Sequence, residues 1–283
     1  MPSRPEDALG DAAASPGENP SAPHPGASAA RACLHAIYRY PVKGLTPEML
    51  SRAMLVPGET LPFDRAYAIE NGRGRFDAEN PRHLPKTNFL MLMRNERLAT
   101  VHSRFENASE TLTLSRHGRQ VARGQLTSAL GRRIIEQFVA AYMAADLRGP
   151  PKIVRAPGHS FSDVAAKCVH IVNLESVRAL ARAIGRPVDP LRFRANLYLA
   201  GIAPWSELAW VGKSLRVGAA QLGVFARTGR CDATNVDPAT GARDLAIPAA
   251  LVRLLGHADF GVYATVKAAG DVSPGVPVEV PAR

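Results

Sequence analysis

Cys231 is the thiol whose surroundings suggest chemistry. It stands in RTGRCDATNVDPATG, with Arg227 and Arg230 close by and an Asp-Pro turn and Gly241 following. Neighbouring guanidinium groups favour the thiolate, the form that attacks electrophiles or binds a soft metal. Read locally, an inert buried thiol fits equally well. Cys168, inside the apolar run KCVHIV, reads as a small buried hydrophobe, and Cys33 sits at the edge of a low-complexity stretch. Three widely spaced cysteines make a poor disulfide framework, which points to a reducing, cytoplasmic setting.

Other stretches suit an anionic ligand. In YPVKG, Lys43 is presented beside Gly44, whose missing side chain would let a phosphate approach the backbone; an exposed turn lysine is the plainer alternative. FDRAYAI sets Asp64 against Arg65 at the start of an expected strand, where the arginine either pairs locally or offers its planar fork to an anion. In RFRANLYLAG, Arg194 and Asn196 are two apart and would share one face of a strand, as a cofactor rim or as an edge salt bridge. Asp163, in HSFSDVAAK, reads as a loop hydrogen-bonding residue. His170 reads as a satisfied core histidine, and His83, His102, His117 and His257 lack metal-ligand spacing. No serine has an elbow-like glycine context, and no glycine-rich loop joins a strand to a helix, which argues against hydrolase, dinucleotide and P-loop readings.

The elements that must hold these residues are mostly short. LHAIYRY, RAYAIE, TLTLS, CVHIVN, NLYLAG, SLRVG, QLGVFAR and GVYATVKA are apolar runs bounded by turn residues, and read as strands. Two helices are expected, one over 127–143 and one over 175–184, the second closed by Gly185. The predicted class is mainly β with a few helices: two associated β-rich units in a barrel-like arrangement. The expected division is an unstructured Ala/Pro/Ser/Gly-rich tail over 1–31, a first unit over 32–125 and a second over 126–283.

The 283 residues carry a formal charge of +10, spread along the chain and not gathered into one run. A dispersed arginine excess serves an anionic small molecule, RNA or only solubility, and with no nucleic-acid signature present, nucleic acid is not an expected partner. No apolar stretch of about 20 residues is present, so no membrane span is expected.

Taken in order, these stretches resemble the MOSC family, named for the C-terminal domain of molybdenum cofactor sulfurase, together with the β-barrel domain that often precedes it. YPVKG looks like the family's opening lysine motif, FDR like its Asp-Arg, RFRAN like its Arg-Phe-Arg-Pro-Asn element and RCDATNVDPATG like its cysteine segment. PWSELAWVG and FGVYATV fall where the family has similar strings. The resemblance implies a molybdenum cofactor, Mo-molybdopterin, with Cys231 as metal ligand and Lys43, Gly44, Arg65, Asp163, Arg194, Asn196 and Arg230 around the pterin and its phosphate. By similarity to the amidoxime-reducing members, it implies reduction of N-hydroxylated or N-oxide-type small molecules, with electrons from a separate flavin, haem or iron-sulfur protein. A sulfur or cofactor carrier without turnover is the other implication. The chain departs from the pattern at Gly44, where serine is common, at Gly229, where a hydroxyl is expected, at Ala195 in place of proline, and at Val276 in place of a terminal Gly-Asp.

Overall fold

The computed structural model describes residues 31–72 and 74–281. The expected tail over 1–31 lies outside the described residues except for Arg31. The described residues cluster as one compact unit.

The strands, in chain order, are β1 (Cys33–Arg39), β2 (Glu48–Leu50), β3 (Ala53–Leu55), β4 (Ala68–Asn71), β5 (His102–Glu106), β6 (Thr111–Arg116), β7 (Arg119–Gln125), β8 (Pro151–Val154), β9 (Val169–Asn173), β10 (Leu197–Ala200), β11 (Ser214–Val217), β12 (Ala220–Gly229), β13 (Asp259–Ala268), β14 (Gly270–Val272) and β15 (Val278–Glu279). The α-helices are α1 (Ala129–Tyr142), α2 (Leu174–Ile184) and α3 (Ile247–Leu255). The fold is thus β-rich with few helices, as the short bounded apolar runs predict.

Both expected helices form, and their ends follow from capping. Ser128 Oγ accepts from Gly131 N at 2.9 Å, which starts α1 two residues later than the sequence reading. Gly185 closes α2 in the left-handed region at φ 74°. The third helix, α3, was not anticipated; Pro248 lies in its first turn and Gly256 ends it at φ 78°.

Eight strands form the main sheet in the order β15-β11-β12-β13-β9-β10-β1-β2. Its neighbouring strands pair antiparallel except β9 and β10, which run parallel because α2 carries the chain over between them. Backbone bonds from Leu34 N to Val276 O, Gly275 N to Leu34 O and Val278 N to Ala32 O tie the start of β1 to the segment entering β15. β15, at one end of the order, therefore meets β1, next to the other end, and the sheet curls back into a barrel-like form. Leu34 and Ile37 of β1 are fully buried with Val169, Leu197, Leu222 and Val262, each such side chain contributing about 1.5–3 kcal/mol.

A second core joins the three-stranded sheet β5-β6-β7 to α1 and to the β4-β8 pair, through Leu112, Leu114, Ile135, Val139, Ile69 and Ile153. The β4-β8 pairing brings residues 68–71 against 151–154, and β1 sits inside a sheet otherwise built largely of residues beyond 168. Among the described residues no helix is long and apolar enough to cross a membrane.

Candidate functional site

One cavity of about 370 Å³ gathers the residues singled out from sequence. Lys43, Gly44, Asp64, Arg65, Lys86, Asp163, Cys168, His170, Arg194, Asn196, Thr228, Arg230, Cys231 and Tyr263 all line it. Its size is within the usual range for a small-molecule or cofactor pocket.

Lys43 follows Val42, which bridges to Tyr67, and its own N–H donates to Tyr67 O at 2.8 Å. Its side chain is 8% exposed, and Nζ donates to Phe161 O at 2.8 Å and to the Asp163 carboxylate. Burial pulls the Lys43 ammonium below its ordinary pKa, against the opposing pull of Asp163. Burial would raise Asp163, yet the Lys43 and Lys86 ammonium groups hold it down to about 2.

Gly44 lines the cavity beside Lys43, and its backbone sets a further requirement for glycine. It sits at φ 87°, and a Cβ there would come within 2.9 Å of Leu90 O. The backbone therefore has no room for the serine common in the family.

Arg65 and Arg194 both adopt left-handed backbone at φ 52°, a strained conformation for a side-chain-bearing residue. Arg65 does not begin a strand; it lies in the turn before β4, where Nη1 donates to Asp64 Oδ2 at 2.6 Å and Nη2 to Arg194 O at 2.9 Å. Arg194 and Asn196 do not share a strand face either. Asp189 and Pro190 start a short 3-10 turn over Pro190–Phe193, Arg194 caps it, and β10 begins only at Leu197. The two guanidinium groups lie 4.3 and 4.2 Å from the ring centroid of buried Tyr40. Arg194 forms no salt bridge among the described residues, and burial pulls it down to about 10.

Asn196 lines the cavity, but its amide is engaged. Nδ2 donates to Tyr38 O at 3.1 Å and Oδ1 accepts from His170 N at 3.0 Å, so it pins β9 to β1. His170 is buried, and burial with the Arg230 charge lowers its pKa well below the ordinary value, leaving a neutral ring. Arg230 donates to Phe193 O at 2.9 Å through Nη2, while its Nε and Thr228 Oγ1 are buried without hydrogen-bond partners. Burial lowers the Arg230 pKa.

Cys231 is half-buried, ahead of a 3-10 turn over Asp232–Asn235. Of the two expected arginines, Arg230 acts electrostatically on Cys231, and a cation not foreseen from the sequence joins it at the sulfur. Lys86 Nζ lies 3.4 Å from Cys231 Sγ, whereas Arg227 donates to Leu208 O and lies 3.9 Å from Asp259. Lys86, 145 positions away in a Pro-Lys-Thr-Asn turn, carries no local signal that could have flagged it. Arg192, also overlooked, fixes the segment after the cysteine: its buried guanidinium meets Asp237 at 3.0 Å, Asp244 at 2.7 Å and Asn235 O at 3.1 Å. Cys168 behaves as read, with burial pushing its thiol up to about 12.

The barrel-like β fold thus carries a cation-rich cavity with one half-buried thiol, Cys231, on its wall. A family model described as "MOSC N-terminal beta barrel domain" matches residues 31–146, and one described as "MOSC domain" matches residues 157–279. The chain belongs to the MOSC family. No curated protein matches it. Among solved structures, it is similar to YiiM from Geobacillus stearothermophilus (22% identity, 41% of this chain and 54% of that one, TM-score 0.32). It is also similar to the YUAD protein from Bacillus subtilis (13% identity, 88% and 94%, TM-score 0.41) and to YiiM from Escherichia coli (24% identity, 41% and 54%, TM-score 0.31). The chain spans about half the length of the YiiM structures.

Proposed function

We propose that the cavity holds a molybdenum cofactor, Mo-molybdopterin, with the Cys231 thiolate as the protein ligand to the metal, and that the protein reduces N-hydroxylated or N-oxide-type compounds. The observation carrying this reading is the half-buried Cys231 sulfur sharing one cavity with Lys43, Arg65, Lys86, Arg194 and Arg230. The donor set fits the group. Arg194 and Arg230 have no carboxylate partner among the described residues, which suits a dianionic phosphate, and the unpartnered Thr228 hydroxyl and Arg230 Nε–H suit a pterin rich in donors and acceptors. Among the described residues no group of three or more His, Cys, Asp or Glu side chains could hold a metal ion, so a metal here would arrive with ligands of its own scaffold.

In this reading Lys43, Arg65 and Arg194 anchor the phosphate and Arg230 the pterin, while Asn196 keeps β9 and β1 in place beneath them. The bound group would supply two-electron reduction of the substrate. The hydroxylamine-type N–O bond breaks, two electrons and two protons are consumed, and the oxygen leaves as water. The electrons would come from a separate flavin, haem or iron-sulfur protein. The free cysteines suit a reducing compartment such as the cytoplasm.

Expression in a cofactor-competent, molybdenum-replete host tests this. About one molybdenum and one pterin per chain, lost in Cys231→Ser, with benzamidoxime reduced under an artificial donor, is the expected result; absence of both metal and pterin would overturn it. The Lys86 contact also favours a second reading, a sulfur or cofactor carrier, marked by bound metal or a Cys231 persulfide without turnover.

A further inference from the structure

The cations around the cavity differ in how far they are committed. Lys43 and Arg65 have side chains 8% and 15% exposed and are paired with Asp163 and Asp64 respectively. Lys86 is 30% exposed, sits 3.8 Å from the already engaged Asp163 carboxylate, and reaches Cys231 Sγ at 3.4 Å. Its charge thus remains partly in water, next to the sulfur where chemistry would occur. On the inner side, Thr228 Oγ1 is 2% exposed at the residue level and has no partner, Arg230 Nε is likewise unpartnered, and neither Arg194 nor Arg230 has a carboxylate partner among the described residues.

We propose that Lys86 is a specificity-determining residue that selects anionic reactants at Cys231, so that the preferred substrates carry a carboxylate or similar anionic group near the reducible nitrogen. The substrate class rests on the reductase reading above; the charge selection at the sulfur does not. A neutral ligand in this place would leave the Lys86 ammonium beside the site without a full counter-charge. An anion a few ångströms from it gains Coulomb attraction at little desolvation cost, because the ammonium is still partly in water.

The full-length chain without cofactor gives a direct test. The rate of Cys231 carboxymethylation by iodoacetate, which is anionic, is compared with that of carbamidomethylation by iodoacetamide, which is neutral, both followed by mass spectrometry of the Cys231 peptide. Taking the ratio cancels any change in the fraction of thiolate. Relative to a small-thiol reference, the wild-type ratio is expected to favour iodoacetate. Lys86→Met is expected to lower it about fivefold, the effect of one unit charge some 4 Å away in water, and Lys86→Arg to keep it. A ratio unchanged in Lys86→Met would overturn the proposal. In cofactor-loaded protein, kcat/KM for 4-carboxybenzamidoxime over benzamidoxime should fall in Lys86→Met through KM. If neither compound is turned over, the reductase reading fails while the alkylation ratio still decides the role of Lys86.

Discussion

The Arg194 guanidinium lies 4.2 Å from the centre of the Tyr40 ring, over its aromatic face. Arg65 lies 4.3 Å from the same ring, so one aromatic side chain holds two like charges near each other. Each desolvated cation–π contact is worth about 2 kcal/mol, enough to offset part of their repulsion. Tyr40→Leu is therefore expected to cost about 3–5 kcal/mol in denaturant unfolding and to lower pterin retention. A cost below about 1 kcal/mol would show that the arginines do not depend on the ring.

Gly44→Ser restores the residue common in the family but demands a Cβ 2.9 Å from Leu90 O at φ 87°. We expect a loss of about 2 kcal/mol, measured by urea midpoint, with no gain in cofactor content.

Arg192→Met removes a guanidinium 2% exposed from Asp237 and Asp244, whose side chains are 26% and 30% exposed and keep Thr240 and Arg186 as partners. With the remaining carboxylates reached by water, the loss is expected to be about 1–3 kcal/mol. The segment after Cys231 should loosen with it, seen as faster amide exchange over 232–244 than over 262–266.

Asp163 has a folded-state pKa of about 2, below its ordinary 3.8, so it adds stability above that ordinary value and loses it as pH falls through about 2. Its side chain is 47% exposed, which limits the contribution to the order of 1 kcal/mol. Asp163→Asn should be less stable than wild type by that amount at pH 6, the difference closing between pH 4 and pH 2. A difference independent of pH would refute the pairing as its source.

Glu207 has the opposite sign. It is buried, bonded to Ser176 Oγ at 2.6 Å and Asn173 Nδ2 at 3.1 Å, and burial raises its pKa above 4.5. Ionising it costs stability, absent below pH 4.5 and growing as pH rises through the raised folded value. Glu207→Gln should gain on wild type at pH 7 and lose that advantage at pH 4, read from thermal midpoints.

What could be read from the residues depended on range. Period-two apolar runs and local caps marked β1, β6, β9, β12, α1 and α2, because those signals lie within a few positions. Helix α3 escaped because Val252 and Leu254 stay exposed and blur its apolar stripe. The two-residue spacing of Arg194 and Asn196 misled because Asp189 and Pro190 set up a turn before any strand begins. Motif order still brought Lys43, Arg65, Arg194, Arg230 and Cys231 together. Lys86 could not be found this way, since a contact spanning 145 positions leaves no trace in spacing.

The placement of β1 between β10 and β2 makes the halves of this protein poor modules. A fragment carrying only 157–279 would keep the cysteine but present the bare edge of β10, its amides and carbonyls open to another chain. Such a piece should self-associate more readily than the intact chain. Adding a peptide of the β1 sequence would then cap the edge and restore a discrete species.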